Sequence, residues 1–395
     1  MPIVAAKGGV STGSAGSASS VPRRSNPKGR STKRSILPVA LGISACSDQE
    51  IRQGPPPGSM DEPVLSAADV ALFDRVRRLY PDGQPKGSGQ GEEDRVAFLF
   101  LTRGPMPLSK LWERYLRGHE QRYSVYVHAT PGFQYPLDSS PVFYAREIPS
   151  EKVQWGDPSM VAAERRLLAN ALLDPANKRF LILSESYVGG EGGGGGRGWD
   201  EVNAWVQWGD PSMVAAERRL LANALLDPAN KRFLILSESA CNNDWNCMGH
   251  YSSRMQPQVP RNQWSKGSQW WALTWHHAFL AATDRTIYPT LARWCKGDNW
   301  HRHCYLDEHY FQTLLKIKDP DHVARRGPTW AMWSGGAHPV EYTREQLTPR
   351  FLTSVKWDSK CSWGGYQNSC FLVLRKIAPS SLQTLLNYTP EELGY

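Results

Sequence analysis

The sequence predicts an α/β fold in which a mostly parallel, mixed sheet is flanked by helices. Three consecutive segments carry this prediction: the apolar, β-prone run VAFLFLT at Val96–Thr102, a segment with helical apolar spacing at Leu108–His119, and a second strand-like run, YSVYVHA, at Tyr123–Ala129. Strand, helix and strand joined by short connections favour a parallel pair, because the helix returns the chain to the same end of the sheet. A chain of 395 residues is long enough to bury such a core.

The first 58 residues differ in composition from the rest of the chain. They hold eight basic and two acidic residues, so +6 of the formal net charge of +8 lies in this segment. The remaining chain is nearly neutral, which argues against a surface that follows a phosphate backbone. The sequence therefore predicts a basic, disordered leader and does not predict a nucleic-acid partner.

A short apolar run, Ile36–Cys46, follows the basic cluster of this leader. Positive residues before an apolar run are typical of a signal peptide or signal anchor, but this run has about half the length that a spanning helix requires. A transit peptide is a further interpretation, since acidic residues are absent before Asp48. Residues 59–94 are predicted to form a linker or stem with a short helix near Ser66–Leu79, and residues 95–395 the main domain.

A block of 34 residues occurs twice without any change. Val153–Ser186 recurs at Val206–Ser239, 53 positions later, and a Gly-rich spacer at 187–205 joins the copies. Each copy predicts a helix and a buried strand, Met160–Leu173 and Phe180–Leu183 in the first. Unchanged copies are typical of a recent duplication or a gene-model error, since solenoid repeats are shorter and more numerous. One sheet position holds one helix–strand unit, so we expect one copy to fill it and the other to pack poorly or lie outside.

Six of the seven cysteines fall in the C-terminal half as three local pairs, spaced 6, 9 and 9 residues apart: Cys241 and Cys247, Cys295 and Cys304, Cys361 and Cys370. Zinc sites usually use tighter pairs. The spacing therefore favours disulfides that close short loops, which would indicate an oxidising compartment. The alternative is that these cysteines are ordinary buried thiols.

The densest group of ionisable residues beside apolar sequence is Leu306–Tyr310, which contains Asp307 and Glu308. A carboxylate held against aromatic walls can serve as a general base. Neighbours on a helix point about 100° apart, so we expect one of the two carboxylates to face a given pocket. The alternative is one capping acid and one solvated acid.

Two other groups have side chains suited to binding a charged or sugar ligand. Arg375 and Lys376 follow an apolar run and can neutralise a diphosphate, or simply be solvated. Trp330 and Trp333 can present flat rings to a sugar face, or belong to the core. Asp319-Pro320-Asp321 imitates the D-x-D motif of metal-dependent nucleotide-sugar enzymes, but it lies in a charged loop, and no metal site is predicted.

Seven segments together resemble a known family. They run in the family's order from about residue 95 to about residue 390: Val96–Ala129, Val142–Ser150, AERRLLANALLD with FLILSES, Asn262–Leu273, Cys304–Leu315, Thr329–Pro339 and Phe371–Leu382. The chain is similar to the plant core-2/I-branching β-1,6-N-acetylglucosaminyltransferase-like proteins of glycosyltransferase family 14.

The resemblance implies a GT-A-type nucleotide-sugar fold in a single-pass, type II Golgi membrane protein with a lumenal catalytic domain. It implies inverting transfer of an N-acetylglucosamine-like sugar from a UDP-sugar to a hydroxyl of a glycan or glycoprotein. The family works without the usual metal, so no cofactor is expected beyond the donor. By the family's pattern Glu308 deprotonates the acceptor, and Lys376 with Arg375 neutralises the departing diphosphate.

Three further residues take roles from the family's pattern. His128 falls where the family approaches the nucleotide, and Trp330 and Trp333 fall where it lines the acceptor site. The sequence departs from the family at Ala240–Ser253, which replaces a longer stretch between the SES motif and the RM motif. This departure and the repeat favour an alternative, a non-catalytic sugar-binding or scaffold protein of the same fold.

Overall fold

The computed structural model describes most of the chain between residues 65 and 388. The described residues are 65–87, 93–136, 138–154, 156–184, 205–206, 238–239, 248–295, 304–323, 327, 329–334, 339–356, 362–363, 366–367, 371 and 373–388. The predicted leader and its apolar run Ile36–Cys46 lie outside these ranges. Within them, no helix is both long and apolar enough to cross a membrane.

The helices of the described residues are α1 (Ala67–Leu79), α2 (Ser109–Leu116), α3 (Pro158–Leu172), α4 (Trp275–Thr283), α5 (Ile287–Trp294), α6 (Tyr310–Lys318), α7 (Pro349–Lys356) and α8 (Leu382–Asn387). The strands are β1 (Arg95–Leu101), β2 (Tyr123–His128), β3 (Asn177–Ser184), β4 (Trp205–Val206), β5 (Glu238–Ser239), β6 (Lys266–Gly267), β7 (Ala272–Thr274), β8 (Thr329–Ala331), β9 (Ser362–Trp363), β10 (Tyr366–Gln367) and β11 (Val373–Arg375).

The central sheet has the strand order β2-β1-β3-β7. Strand β1 runs parallel to both β2 and β3, whereas β7 pairs with β3 in the antiparallel direction. The predicted α/β class with a mostly parallel sheet is thereby confirmed. Residues 97–101 of β1 are all buried, because parallel strands with both faces covered form nearly continuous apolar runs.

Alternate residues of β1 point into two separate cores, one on each face of the sheet. Leu99 and Leu101 pack with α1, α3, α4 and α6 in the larger core. Phe98 and Phe100 pack on the other face with Trp112 of α2 and with the segment that contains Phe143. The period of two along a strand therefore gives the sheet its two helical layers.

A second sheet, with strand order β4-β11-β8, carries the C-terminal part of the fold. Strand β11 is parallel to β8 and antiparallel to β4. A third core, built from α2, α7, α8 and residues near Tyr342, packs against this sheet. The apolar run before Lys376 thus contains a strand, β11.

The first copy of the repeated block fills the sheet position, since it contains α3 and β3 in full. The prediction that one copy takes this place is confirmed. The two ends of the second copy also lie in strand pairs: β4 pairs with β11, and β5 pairs with β6. The rest of the second copy, 207–237, lies outside the described residues, so the expectation that it packs poorly stays a prediction.

One of the three predicted disulfides is present, between Cys295 and Cys304. Cys295 follows α5, and Cys304 precedes the turn that leads into α6. The other two predicted pairs lie outside the described residues.

Deleting one copy of the repeat tests whether a single copy is enough to form α3 and β3. Removing residues 187–239 and removing residues 153–205 give the same single-copy chain, because the copies are identical. The helix and strand of the sheet position remain, but the pairing of β4 with β11 is lost, so we expect the free energy of unfolding to fall by about 1–2 kcal/mol, the scale of one or two backbone hydrogen bonds beside a change in loop length. Urea denaturation measures this value.

The matched control for this deletion removes residues 153–239, and with them both copies. That chain has no segment for the place between β1 and β7, and we expect it not to unfold cooperatively. A single-copy chain that also failed to unfold cooperatively would contradict the assignment of the first copy.

Candidate active site

The turn Leu306–Glu308 is one turn of 3₁₀ helix that enters α6. Tyr305 before it has φ +49°, a left-handed backbone conformation that is uncommon for a residue with a side chain. The turn separates the two carboxylates as the sequence predicts. Asp307 points into the protein with 1% of its surface exposed, whereas the side chain of Glu308 keeps 27%.

Glu308 forms an ion pair with Lys266 of β6, with 3.0 Å between Oε2 and Nζ. Both side chains are partly exposed, so solvent screens the pair and it adds little stability. Its importance is geometric: it holds a carboxylate at the protein surface beside a segment rich in aromatic residues. A carboxylate in this place can meet an incoming hydroxyl group.

The segment Ser265–Gln269 is fastened along the turn and α6. Gln269 Nε2 donates to Asp307 Oδ2 at 2.5 Å, and Gln312 Nε2 donates to the Ser268 carbonyl at 2.8 Å. The backbone N–H of Ser265 donates to Thr313 Oγ1 at 3.1 Å. These bonds hold Lys266 in position opposite Glu308.

His309 also holds the segment Ser265–Gln269 in place. Its Nδ1 lies 2.9 Å from the Ser265 carbonyl, and its ring stacks on Trp264 with 4.3 Å between centroids. Burial lowers the pKa of His309 to about 3. The ring is therefore neutral, and Nδ1 carries the hydrogen that it donates to the carbonyl.

The basic pair at the end of β11 lies close to this segment. Arg375 is buried, and its guanidinium stacks over Trp270 at 5.2 Å, the residue next to Gln269. Lys376 is also buried, with its backbone bonded to Val340 and Tyr342. The structure thus brings Arg375 and Glu308 to opposite ends of one short segment.

The two candidate acceptor-site tryptophans differ in their surroundings. Trp330 in β8 is half-buried, donates from Nε1 to the Tyr342 hydroxyl at 3.2 Å and packs edge-on against Phe371. Trp333 is 58% exposed, beside the exposed Met332. Because β8 pairs with β11, both rings lie on the chain segment next to Arg375, but it is Trp333 that offers an open face.

His128, at the carboxyl end of β2, is buried under a charged network. Arg166 of α3 lies 2.7 Å from its Nε2 and makes two bonds of 2.6 Å to Asp69 of α1. Burial, with the nearby Arg166 charge, lowers the pKa of His128 to about 3. The neutral ring accepts a hydrogen bond from Arg166, so its side chain faces α3 and not an open surface.

Asp319 of the D-x-D sequence is bound by histidines. His277 Nε2 lies 2.9 Å from Asp319 Oδ2, and His322 Nδ1 bonds the other oxygen. Across the part of the chain that the structure describes, no group of three or more His, Cys, Asp or Glu side chains is arranged to hold a metal ion.

A cavity of about 380 Å³ lies at the amino-terminal ends of strands β1 and β2 of the central sheet. It is lined by residues that begin β1 and β2, including Arg95 and Tyr123. Ligands of open α/β sheets bind outside the carboxyl ends of the strands. The cavity is therefore separate from the candidate site.

The sequence pattern does not mark Lys266, Gln269 or Glu164 as site residues. Lys266 and Gln269 lie in the NQWSKGSQWWAL segment that carries the resemblance, but a lone Lys among small residues has no spacing that marks an ion pair. Glu164 lies in the AERR sequence of α3, where helical spacing alone does not show that a charged residue is buried.

Comparison with known proteins identifies the family to which this chain belongs. The family model described as Core-2/I-Branching enzyme matches residues 96–188, 202–242 and 238–356. The chain belongs to this family of glycosyltransferases, enzymes that move a sugar from a donor to an acceptor. The breaks in the match flank the second copy of the repeat.

A curated relative comes from rice. The chain is 30% identical over 335 residues to "Glycosyltransferase BC10" of Oryza sativa subsp. japonica, across 74% of this chain and 76% of that protein. The resemblance to family 14 glycosyltransferases that the motifs predict is confirmed.

The Arg166 network gives a stability prediction with an internal control. Arg166→Ala leaves Asp69 buried without its guanidinium, so we expect the free energy of unfolding to fall by about 3–5 kcal/mol, as for other broken buried ion pairs. Urea or thermal unfolding measures the loss.

Arg219→Ala is the control, because Arg219 occupies the same place in the identical second copy. We expect little change, since the first copy holds the sheet position. Equal losses for the two variants would show that either copy can fill it.

Proposed function

We propose that the protein is an inverting, metal-independent glycosyltransferase with a GT-A-type fold. It moves an N-acetylglucosamine-like sugar from a UDP-sugar to a hydroxyl of a glycan or glycoprotein. The observation that carries the proposal is the partly exposed Glu308–Lys266 pair, held at 3.0 Å beside a segment that also stacks against Arg375. Family membership supports the sugar-transfer class.

In this proposal Glu308 accepts the proton of the acceptor hydroxyl, and the freed oxygen attacks the anomeric carbon. The bond from that carbon to the diphosphate oxygen breaks with its electron pair, and UDP leaves. A single displacement inverts the anomeric centre. Lys266 holds the Glu308 carboxylate until the acceptor hydroxyl arrives.

The positive charge for the leaving group comes from Lys376 and Arg375. Both are buried at the end of β11, so their charges act in a less polar surrounding than water. Trp333 supplies an open ring for an acceptor sugar, while Trp330 supports it from within. We expect His128 to contribute through the backbone at the end of β2, because its ring is bound to Arg166.

We also propose a Golgi location with the catalytic domain in the lumen. The Cys295–Cys304 disulfide supports it, because such bonds persist in the oxidising secretory pathway. Family membership supports it as well.

Glu308→Gln tests the role of the base. The amide keeps size and hydrogen bonding but cannot accept the proton, so we expect transfer to fall by about 10²–10⁴-fold. UDP affinity should stay the same, because Glu308 is not a donor ligand. UDP release from a panel of UDP-sugars in EDTA, with calorimetry for UDP binding, measures both.

Glu345→Gln is the control for Glu308→Gln, since Glu345 is an exposed surface carboxylate paired with Arg344. Full activity in Glu308→Gln would refute the proposed base. If UDP binds and no acceptor gives turnover in the unchanged protein, the alternative of a non-catalytic sugar-binding protein is supported.

Lys376→Met tests the diphosphate site. The apolar chain keeps most of the volume of the buried stem while it removes the ammonium, so UDP affinity should fall by about 10- to 100-fold. Calorimetry measures the affinity, and circular dichroism checks that the variant folds. Lys110→Met on the exposed face of α2 is the control; unchanged UDP affinity in Lys376→Met would contradict the assignment.

A further inference from the structure

Three carboxyl groups meet at the turn that carries Glu308. Glu164 comes from α3, while Asp307 and Glu308 are neighbours on the turn. Glu164 and Asp307 are 2% and 1% exposed, and Glu308 alone of the three reaches the surface. Among the described residues, Glu308 on the same turn and Glu164 of α3 lie near Asp307, and Lys266 of β6 is paired with Glu308.

Each of the two buried carboxyl groups has one oxygen without a hydrogen-bond partner in the described part of the chain, although backbone N–H groups of the turn lie near Asp307. Asp307 receives a bond from Gln269 at Oδ2, but its Oδ1 has no hydrogen-bond partner in the described part of the chain. Oε2 of Glu164 has none in that part either. An ionised carboxylate is costly to bury when one of its oxygens has no donor, and a proton removes most of that cost.

The pKa values of both buried carboxyl groups are raised, in agreement with their burial. Burial, with the Glu308 charge, raises the pKa of Asp307 to about 7. Burial, with the Asp307 charge, raises the pKa of Glu164 well above its ordinary value. Three negative charges are therefore not held together at this turn near neutral pH.

We propose that Asp307 and Glu164 are protonated positioning residues that leave Glu308 as the single ionised carboxylate of the turn. This inference rests on the proposed function in one respect, that Glu308 is the base. As a neutral acid, Asp307 holds the turn to Gln269 and so keeps Lys266 opposite Glu308. When Asp307 ionises, a second negative charge appears next to Glu308 in a buried place, and the turn loses this geometry.

The first test does not depend on catalysis. Infrared spectra of the full-length protein at about pH 6.5 should contain the C=O stretching band of a protonated carboxyl group, since exposed carboxyl groups are ionised there. We expect the band to weaken in Asp307→Asn and in Glu164→Gln and to vanish in the double variant. Glu217→Gln, the same residue in the second copy, is the matched control and should leave it unchanged.

The second test uses the pH profile of kcat/KM for UDP release. A group with a pKa near 7 is about nine-tenths ionised at pH 8, so the unchanged protein should lose about tenfold between pH 6 and pH 8. Asp307→Asn cannot ionise, and that alkaline loss should disappear. Asp307→Ala, which also loses the bond to Gln269, should be impaired at every pH.

The two tests separate the inference from the proposed function. Absence of the infrared band in the unchanged protein overturns the inference, and so does a folded Asp307→Asn variant that is inactive at every pH. If neither protein releases UDP from any donor, the proposed function fails, while the infrared result still decides the protonation state of the pair.

Discussion

The fold depends on three consecutive charged residues that α3 buries, Glu164, Arg165 and Arg166. The two arginines are paired with other parts of the chain, whereas Glu164 faces a second buried carboxyl group. Arg165 donates to carbonyl groups at the end of α4 and lies between the Phe73 and Tyr288 rings, each 4.6 Å away. Arg166 joins α1 to the end of β2, and Glu164 faces the turn that carries Asp307. A buried charge without its partner is expensive, so these elements can assemble only in one arrangement around α3.

The candidate active site follows from that arrangement. Because α3 sets the position of the 306–308 turn, it also sets the position of the segment that hydrogen bonds attach to the turn. Lys266 at one end of this segment meets Glu308, and Trp270 at the other end meets Arg375. Glu308 on the 306–308 turn and Arg375 at the end of β11 are thus related by one short segment of five residues, Lys266–Trp270.

The sequence was most informative where local pattern and tertiary environment agree. The apolar runs of β1 and β2 and the adjacent Asp307 and Glu308 carry their structure in composition and spacing. The surroundings of His128 could not be foreseen, because Arg166 reaches it from a helix 38 residues away. The different exposure of Trp330 and Trp333 depends on Tyr342 and Phe371, which no local pattern links to them.

Both copies of the repeat leave the ribosome before β7, the strand that completes the sheet beside β3. The entropic cost of loop closure is nearly the same for the two copies. With the first copy in the sheet, the connection from β2 is shorter and costs about 0.9 kcal/mol less, while the connection to β7 is longer and costs about 0.8 kcal/mol more. During synthesis the first copy has an advantage in time, since it can meet β1 and β2 while the second copy is still being made. A chain refolded from denaturant offers both copies at once. The order of synthesis then no longer favours the first copy.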